Sequence, residues 1–121
     1  MIGISKLYFG TVEASDRLRY RKGVHRRPVV VWNCTPACNL ACSHCYAACA
    51  GEQRVLTTDQ ARAVIDDLAA FGVPVILFSG GEPFLRPDIR TLAAHAKARG
   101  IRVTFSTNGT FIDDAWADWI R

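Results

Sequence analysis

No stretch of this 121-residue chain approaches the roughly 18 uninterrupted apolar residues that a membrane-spanning helix requires. Its opening, Met1-Ile2-Gly3-Ile4-Ser5-Lys6-Leu7-Tyr8, also lacks the charged start and long apolar run of a secretory signal. These two absences lead to the expectation of a cytoplasmic protein with no membrane partner, in a compartment that keeps thiols reduced. Internal repeats and low-complexity tracts are missing as well. With 50% hydrophobic and 21% charged residues, the composition is that of an ordinary globular chain able to bury a core, not of a disordered or fibrous one. An even cysteine count is lacking: there are 5, which argues against a fully paired disulfide scaffold. Acidic residues are absent between Arg17 and Arg27, where Arg17, Arg19, Arg21, Lys22, Arg26 and Arg27 concentrate the positive charge of a chain whose net charge is +4. Such a run is either a solvated arm or a contact surface for a polyanion, and charge alone does not separate the two.

What the chain does have is Cys38-Asn39-Leu40-Ala41-Cys42-Ser43-His44-Cys45-Tyr46. Among Cys34, Cys38, Cys42, Cys45 and Cys49, only Cys38, Cys42 and Cys45 satisfy a Cys-x3-Cys-x2-Cys spacing. A [4Fe–4S] centre is usually held by four cysteine thiolates, so three in one loop leave one iron free for a small molecule. A zinc knot, with Cys38, Cys42, Cys45 and either His44 or Cys49 as its ligands, is the rival, although zinc sites more often join two Cys-x2-Cys pairs. A bacterial-type ferredoxin run needs two consecutive x2 gaps and fits poorly. Cys34 and Cys49 read as packed or partly exposed thiols and not as ligands.

The order of elements places this loop. Val29-Val30-Val31-Trp32 is a continuous β-branched and aromatic run, expected for a parallel strand buried on both faces. Thr57 and Gln60 form a capping-box pattern, and Ala61, Val64, Ile65 and Leu68 supply one apolar helix face that Gly72 terminates. Val73-Pro74-Val75-Ile76-Leu77-Phe78 reads as a second strand, with Pro74 at its start. Pro87 and Asp88 then open a helix with the inward stripe Ile89, Leu92, Ala93 and Ala96, which Gly100 closes. A third strand follows over Ile101-Arg102-Val103-Thr104-Phe105, and a third helix begins near Asp113. This alternation is that of an α/β fold made of parallel βα units joined by right-handed crossovers. The distinctive residues fall just after strand C-termini: the cysteines, then Gly80-Gly81-Glu82-Pro83, then Ser106-Thr107-Asn108-Gly109. In barrels of this kind that end is the catalytic face.

The cysteine spacing together with Gly80-Gly81-Glu82-Pro83 resembles the radical S-adenosylmethionine (SAM) superfamily, with His44 standing where an aromatic residue usually precedes the last cysteine. The resemblance implies a partial (βα)6 barrel of which residues 28–121 supply the first three units, after a basic extension over residues 1–27. It therefore also implies an N-terminal fragment, with an unpaired third strand, that would neither fold stably nor be active alone. The chemistry implied is reductive cleavage of SAM at a [4Fe–4S] cluster held by Cys38, Cys42 and Cys45, giving methionine and a 5′-deoxyadenosyl radical. An electron donor such as ferredoxin or flavodoxin would reduce the cluster. Gly80, Gly81 and Glu82 would hold the methionine part of SAM, where a glycine lets backbone approach a ligand and a carboxylate meets the ammonium group. A Gly-Gly turn is by itself more often a simple loop. Ser106, Thr107 and Asn108 would contact SAM from the third loop or else serve as turn chemistry. His44 and Tyr46 would flank the adenine or exclude solvent.

Within the superfamily, Ile4-Ser5-Lys6-Leu7-Tyr8, Gly10-Thr11-Val12-Glu13, Leu18-Arg19-Tyr20 and Val29-Val30-Val31-Trp32-Asn33 resemble the siroheme-dependent haem-biosynthesis subgroup of didecarboxysiroheme deacetylase type. That resemblance implies a carboxylate-rich tetrapyrrole as substrate, which the basic run would suit. Cys34 and Pro36 depart from the subgroup's pattern. Peptide maturases with a C-terminal auxiliary-cluster domain share the same core pattern. From a different class, a zinc-stabilised nucleic-acid-binding module stays open on the cysteines alone, while Glu82-Pro83 after two glycines favours the SAM-cleaving enzyme.

Overall fold

A computed structural model describes residues 27–45 and 54–121. Most of the expected basic extension, up to Arg26, lies outside the described residues, as do Tyr46 and Cys49. The elements run β1 (Val30–Thr35), α1 (Thr58–Phe71), β2 (Val75–Gly80), a 3-10 turn (Pro83–Leu85), α2 (Ile89–Ala98), β3 (Arg102–Phe105) and α3 (Asp114–Ile120). The three strands form one parallel sheet in the order β1-β2-β3. Parallel neighbours need a crossover between them, and α1 and α2 provide it.

Local chemistry sets most boundaries. Thr57 accepts from the Gln60 backbone N–H, and the Gln60 side chain accepts in return from the Thr57 N–H at 3.0 Å, so the expected capping box opens α1. Gly72 ends it in the left-handed conformation at φ 83°, which costs glycine nothing for want of a Cβ. Asp113 caps α3 through a 2.8 Å bond from the Trp116 N–H. The start of α2 differs from expectation. Pro87 precedes the N-cap, and Asp88 occupies the cap position without bonding a helix N–H, because its carboxylate is turned to Arg86 and Thr58.

The core forms on one face of the sheet. The rows Val30-Ile76-Val103 and Trp32-Phe78-Phe105, aligned by strand register, pack with Ala61 and Ile65 of α1 and with Ile89, Leu92, Ala93 and Ala96 of α2. Trp32, Phe78 and Phe105 meet at centroid distances of 5.7 and 5.9 Å. Phe84 carries the aromatic series on to α3, stacking on Trp116 at 4.4 Å. Two expectations are corrected here. The strands are not buried on both faces: the row Val31-Leu77-Thr104 turns away from this core, and Val31 is 59% exposed. A parallel sheet is covered on both sides only where helices lie on both, and among the described residues they lie on one. Val64 falls at the margin of the α1 stripe and is exposed, so the helix buries a narrower face than its periodicity suggests. Among the described residues β3 pairs with β2 alone, leaving the expected free edge. No helix among the described residues is long and apolar enough to cross a membrane.

Candidate cofactor site

The cysteine loop leaves the sheet through an irregularity in β1. Register shifts between Asn33 and Thr35, so Cys34 is the extra residue of a bulge, and its side chain is 3% exposed. Burial pushes the Cys34 thiol up to about 11, because removing the thiolate from water costs more than the neighbouring Arg86 returns. A thiol held protonated is a poor ligand, since metals take the thiolate. Cys38 and Cys42, by contrast, are exposed and Cys45 is half-buried, and all are free thiols. A turn closes between the last two, with the Cys45 N–H donating to the Cys42 carbonyl at 3.1 Å. The Leu40 N–H points at Cys38 Sγ from 3.4 Å. His44 is exposed within this turn.

The loop after β2 lies directly on the entry to the cysteine loop. Gly81 N–H donates to the Thr35 carbonyl at 2.8 Å and Glu82 N–H to the Ala37 carbonyl at 2.7 Å. Both contacts depend on missing side chains. A Cβ at Gly80, which has φ 130°, would collide with the Thr35 carbonyl, and one at Gly81 would collide with the carbonyls of Ala37 and Pro36. The close approach these glycines permit is therefore to the chain's own backbone, one residue before Cys38.

Glu82 is fully buried. Its Oε1 accepts from the Phe84 N–H at 3.0 Å and from Thr107 Oγ1 at 2.8 Å, and its Oε2 accepts from the Asn108 N–H at 2.8 Å. The carboxylate thus ties the loop after β2 to the loop after β3. That second loop starts with the Ser106 N–H donating to the Phe78 carbonyl at 2.9 Å. Ser106 itself is exposed. Thr107 and Asn108 also make the expected turn chemistry: the Gly109 N–H donates to Thr107 Oγ1 at 3.0 Å, and the Thr110 N–H to Asn108 Oδ1 at 3.0 Å. The loop then reaches the cysteines, with Asn108 Nδ2 donating to Asn39 Oδ1 at 2.9 Å and Asn39 Nδ2 to Thr110 Oγ1 at 2.9 Å. The loops after all three strands are joined as the sequence anticipates, but largely to one another.

Arg86 and Asp88 form a second tie that the sequence reading missed. The buried Arg86 guanidinium donates to the Cys34 carbonyl at 2.7 Å, to the Leu56 carbonyl at 2.9 Å and to both Asp88 oxygens, at 2.7 and 3.1 Å. Asp88 also accepts from Thr58 Oγ1 at 2.8 Å. Burial works against ionised Asp88, but the Arg86 and Thr58 hydrogen bonds and the Arg86 charge outweigh it and hold the carboxyl below its usual range. The available signal was an arginine two residues before an acid at a helix start; without its partners, that signal reads as surface charge.

Whether these residues fit a metal group can be tested on the donor set. Among the described residues, no three His, Cys, Asp or Glu side chains gather as one metal ion would require. A tetrahedral zinc knot would need its four donors to converge on one ion. A [4Fe–4S] cluster takes its thiolates on separate irons, so its ligands need not converge as those of a single ion do. Three unpaired thiols on one loop, two of them open to solvent, fit such a group in number and kind.

The sequence matches known proteins in the same terms. Residues 32–121 match the profile of the Radical SAM superfamily. The chain is 53% identical to the Fe-coproporphyrin III synthase of Methanosarcina barkeri, over 100% of this chain and 34% of that protein. It is 45% identical to the pre-heme d1 synthase of Dinoroseobacter shibae over 76% of this chain and 23% of the relative. It is 43% identical to an AdoMet-dependent heme synthase of Methanosarcina barkeri over 77% of this chain and 27% of the relative. The chain thus spans about a third or less of the length of the relatives it matches.

Proposed function

The chain belongs to the radical SAM superfamily, and from that premise we propose that it carries the cofactor-binding part of an enzyme that modifies tetrapyrrole side chains in haem biosynthesis. On this reading residues 28–121 are the first three βα units of the core and residues 1–27 a basic extension. Cys38, Cys42 and Cys45 hold a [4Fe–4S] cluster, which when bound supplies the electron for reductive cleavage of SAM. An external one-electron donor such as ferredoxin or flavodoxin reduces it. The carrying observation is that three free thiols share one loop onto which the loops after β2 and β3 are hydrogen-bonded.

The chain's own residues position and screen. Gly80 and Gly81 let the loop after β2 lie against residues 35–37 and so fix where Cys38 begins. Glu82 holds the loop after β3 at the same end of the sheet. Backbone and polar groups of both loops, with His44 and Tyr46 from the cysteine loop, are then available to the amino, carboxylate and adenosine parts of SAM. The tetrapyrrole assignment is supported by the names of the relatives, an Fe-coproporphyrin III synthase and an AdoMet-dependent heme synthase. It is also supported by the acid-free basic run, whose arginines suit propionate and acetate groups through bidentate charge-assisted hydrogen bonds.

The test is anaerobic reconstitution of the full-length enzyme with iron and sulfide, followed by titration with didecarboxysiroheme and turnover with SAM and a strong reductant. One oxygen-sensitive cluster is expected, lost on alanine substitution of Cys38, Cys42 or Cys45 and kept in Cys34→Ala and Cys49→Ala. Loss of acetate groups from the macrocycle with release of 5′-deoxyadenosine supports the substrate. Stimulation of SAM cleavage by a peptide and not by the tetrapyrrole would replace it with peptide maturation.

A further inference from the structure

Asn108, Asn39 and Thr110 close a ring of side-chain hydrogen bonds. Asn108 Nδ2 donates to Asn39 Oδ1 at 2.9 Å, Asn39 Nδ2 donates to Thr110 Oγ1 at 2.9 Å, and Thr110 Oγ1 donates to Asn108 Oδ1 at 2.7 Å. The ring fixes the direction of the Asn108 amide. The Thr110 backbone N–H, which can only donate, also faces Oδ1 at 3.0 Å, so the oxygen lies on that side and the amino group on the side of the cysteine loop. An amino group carries two N–H donors. One is taken by Asn39, and the other lies against Cys38 Sγ, with nitrogen to sulfur at 4.0 Å. The Leu40 N–H approaches the same sulfur at 3.4 Å. The Asn108 backbone is itself anchored, through its N–H, to the buried carboxylate of Glu82 at 2.8 Å.

From this we infer that Asn108 is a positioning residue for the Cys38 thiolate, using its side-chain amide to hold and tune one cluster ligand from the loop after β3. The inference rests on the cluster reading above. Hydrogen bonds to ligand sulfur are among the determinants of cluster potential, and groups that hydrogen-bond to metal ligands orient them. Reduction adds negative charge that spreads onto the thiolates, so a donor to Cys38 stabilises the reduced form more than the oxidised one and raises the potential. The loop that follows β3 would then set how readily the cluster accepts an electron, without itself ligating iron.

The experiment measures the cluster's midpoint potential by anaerobic redox titration, followed by paramagnetic resonance, in the reconstituted full-length enzyme without substrate. Asn108→Ala should shift the reduction equilibrium about threefold to tenfold toward the oxidised form, where tenfold corresponds to about 59 mV for one electron. Asn108→Asp, of the same shape but with a negative oxygen toward the sulfur, should shift it further in the same direction. Thr110→Val breaks the ring but keeps the Thr110 N–H on Asn108 Oδ1, so it should leave the potential close to that of the unaltered protein. Equal shifts in Thr110→Val and Asn108→Ala would mean that loop looseness, and not the donor, is responsible, and would overturn the inference. Unchanged potentials in both Asn108 variants would overturn it alone, whereas an unaltered protein that assembles no cluster would overturn the proposed function and this inference together.

Discussion

Glu82 and Thr107, 25 residues apart in sequence, meet in a 2.8 Å hydrogen bond whose acceptor is a fully buried carboxylate. With the Phe84 and Asn108 N–H groups as its other donors, the buried Glu82 carboxylate has every one of its bonds supplied by the chain itself. The glutamate expected beside a ligand's ammonium group also fastens the two loops to each other.

Replacing Glu82 by Gln keeps the shape but turns one acceptor into a donor that faces an N–H or O–H. The expected loss is about 1–3 kcal/mol of folding stability, read by denaturant unfolding of the full-length enzyme, together with weaker SAM binding as the loop after β3 loosens. Unchanged stability would show that the buried bonds carry nothing.

Gly81→Val places a branched side chain against the carbonyls of Ala37 and Pro36. Because Ala37 adjoins Cys38, the expected outcome is loss of bound iron and acid-labile sulfide, and not weaker SAM affinity alone. Gly80→Ala adds strain from φ 130° to a clash with the Thr35 carbonyl and should lower stability as well. Full cluster content in Gly81→Val would separate this loop from the cysteines.

Cys34, 3% exposed and with its thiol pushed up to about 11, should resist alkylation in the folded protein at mildly alkaline pH while Cys38 and Cys42 react, as mass spectrometry of labelled peptides would reveal. The sign of its pH effect follows from proton binding. Between the ordinary thiol value of 9.0 and about 11 the unfolded chain releases the Cys34 proton and the folded chain keeps it, so stability falls as pH rises through that window. Comparison with Cys34→Ala isolates this contribution, and an equally steep alkaline loss in the variant would remove it.

Asp88→Asn leaves the buried Arg86 guanidinium without its counter-charge. Breaking a buried pair costs about 3–5 kcal/mol, and since Asp88 is 20% exposed on its side chain the lower end is expected. The Asp88 carboxyl titrates below 3.8 when folded, so its contribution is fully present above that pH and lost as pH falls through the lower folded value. Acid unfolding of the two proteins compared at pH 7 and below 3.8 checks both statements: the gap between them should close in acid.

The sequence determined what depends on neighbours in the chain. Capping by Thr57 and Gln60, the left-handed stop at Gly72, the stripe of Ile89, Leu92, Ala93 and Ala96 and the spacing of Cys38, Cys42 and Cys45 are all local patterns, and each was readable because its partners lie within a few residues. Tertiary structure decided whatever needed a partner from another element. It decided that Cys34 is sealed in a bulge, that Gly80 and Gly81 make room for residues 35–37, that Arg86 pairs with Asp88 while holding the Cys34 and Leu56 carbonyls, and that Glu82 and Asn108 fasten the loops. It also decided which sheet face is covered, since a run such as Val29-Val30-Val31 is equally apolar on both sides and only the placement of α1 and α2 distinguishes them. The physical reason is common to all of these: a buried donor, acceptor or missing Cβ has meaning only through the atom opposite it, and for the ties between elements in this chain that atom lies 25 to 52 residues away along the sequence.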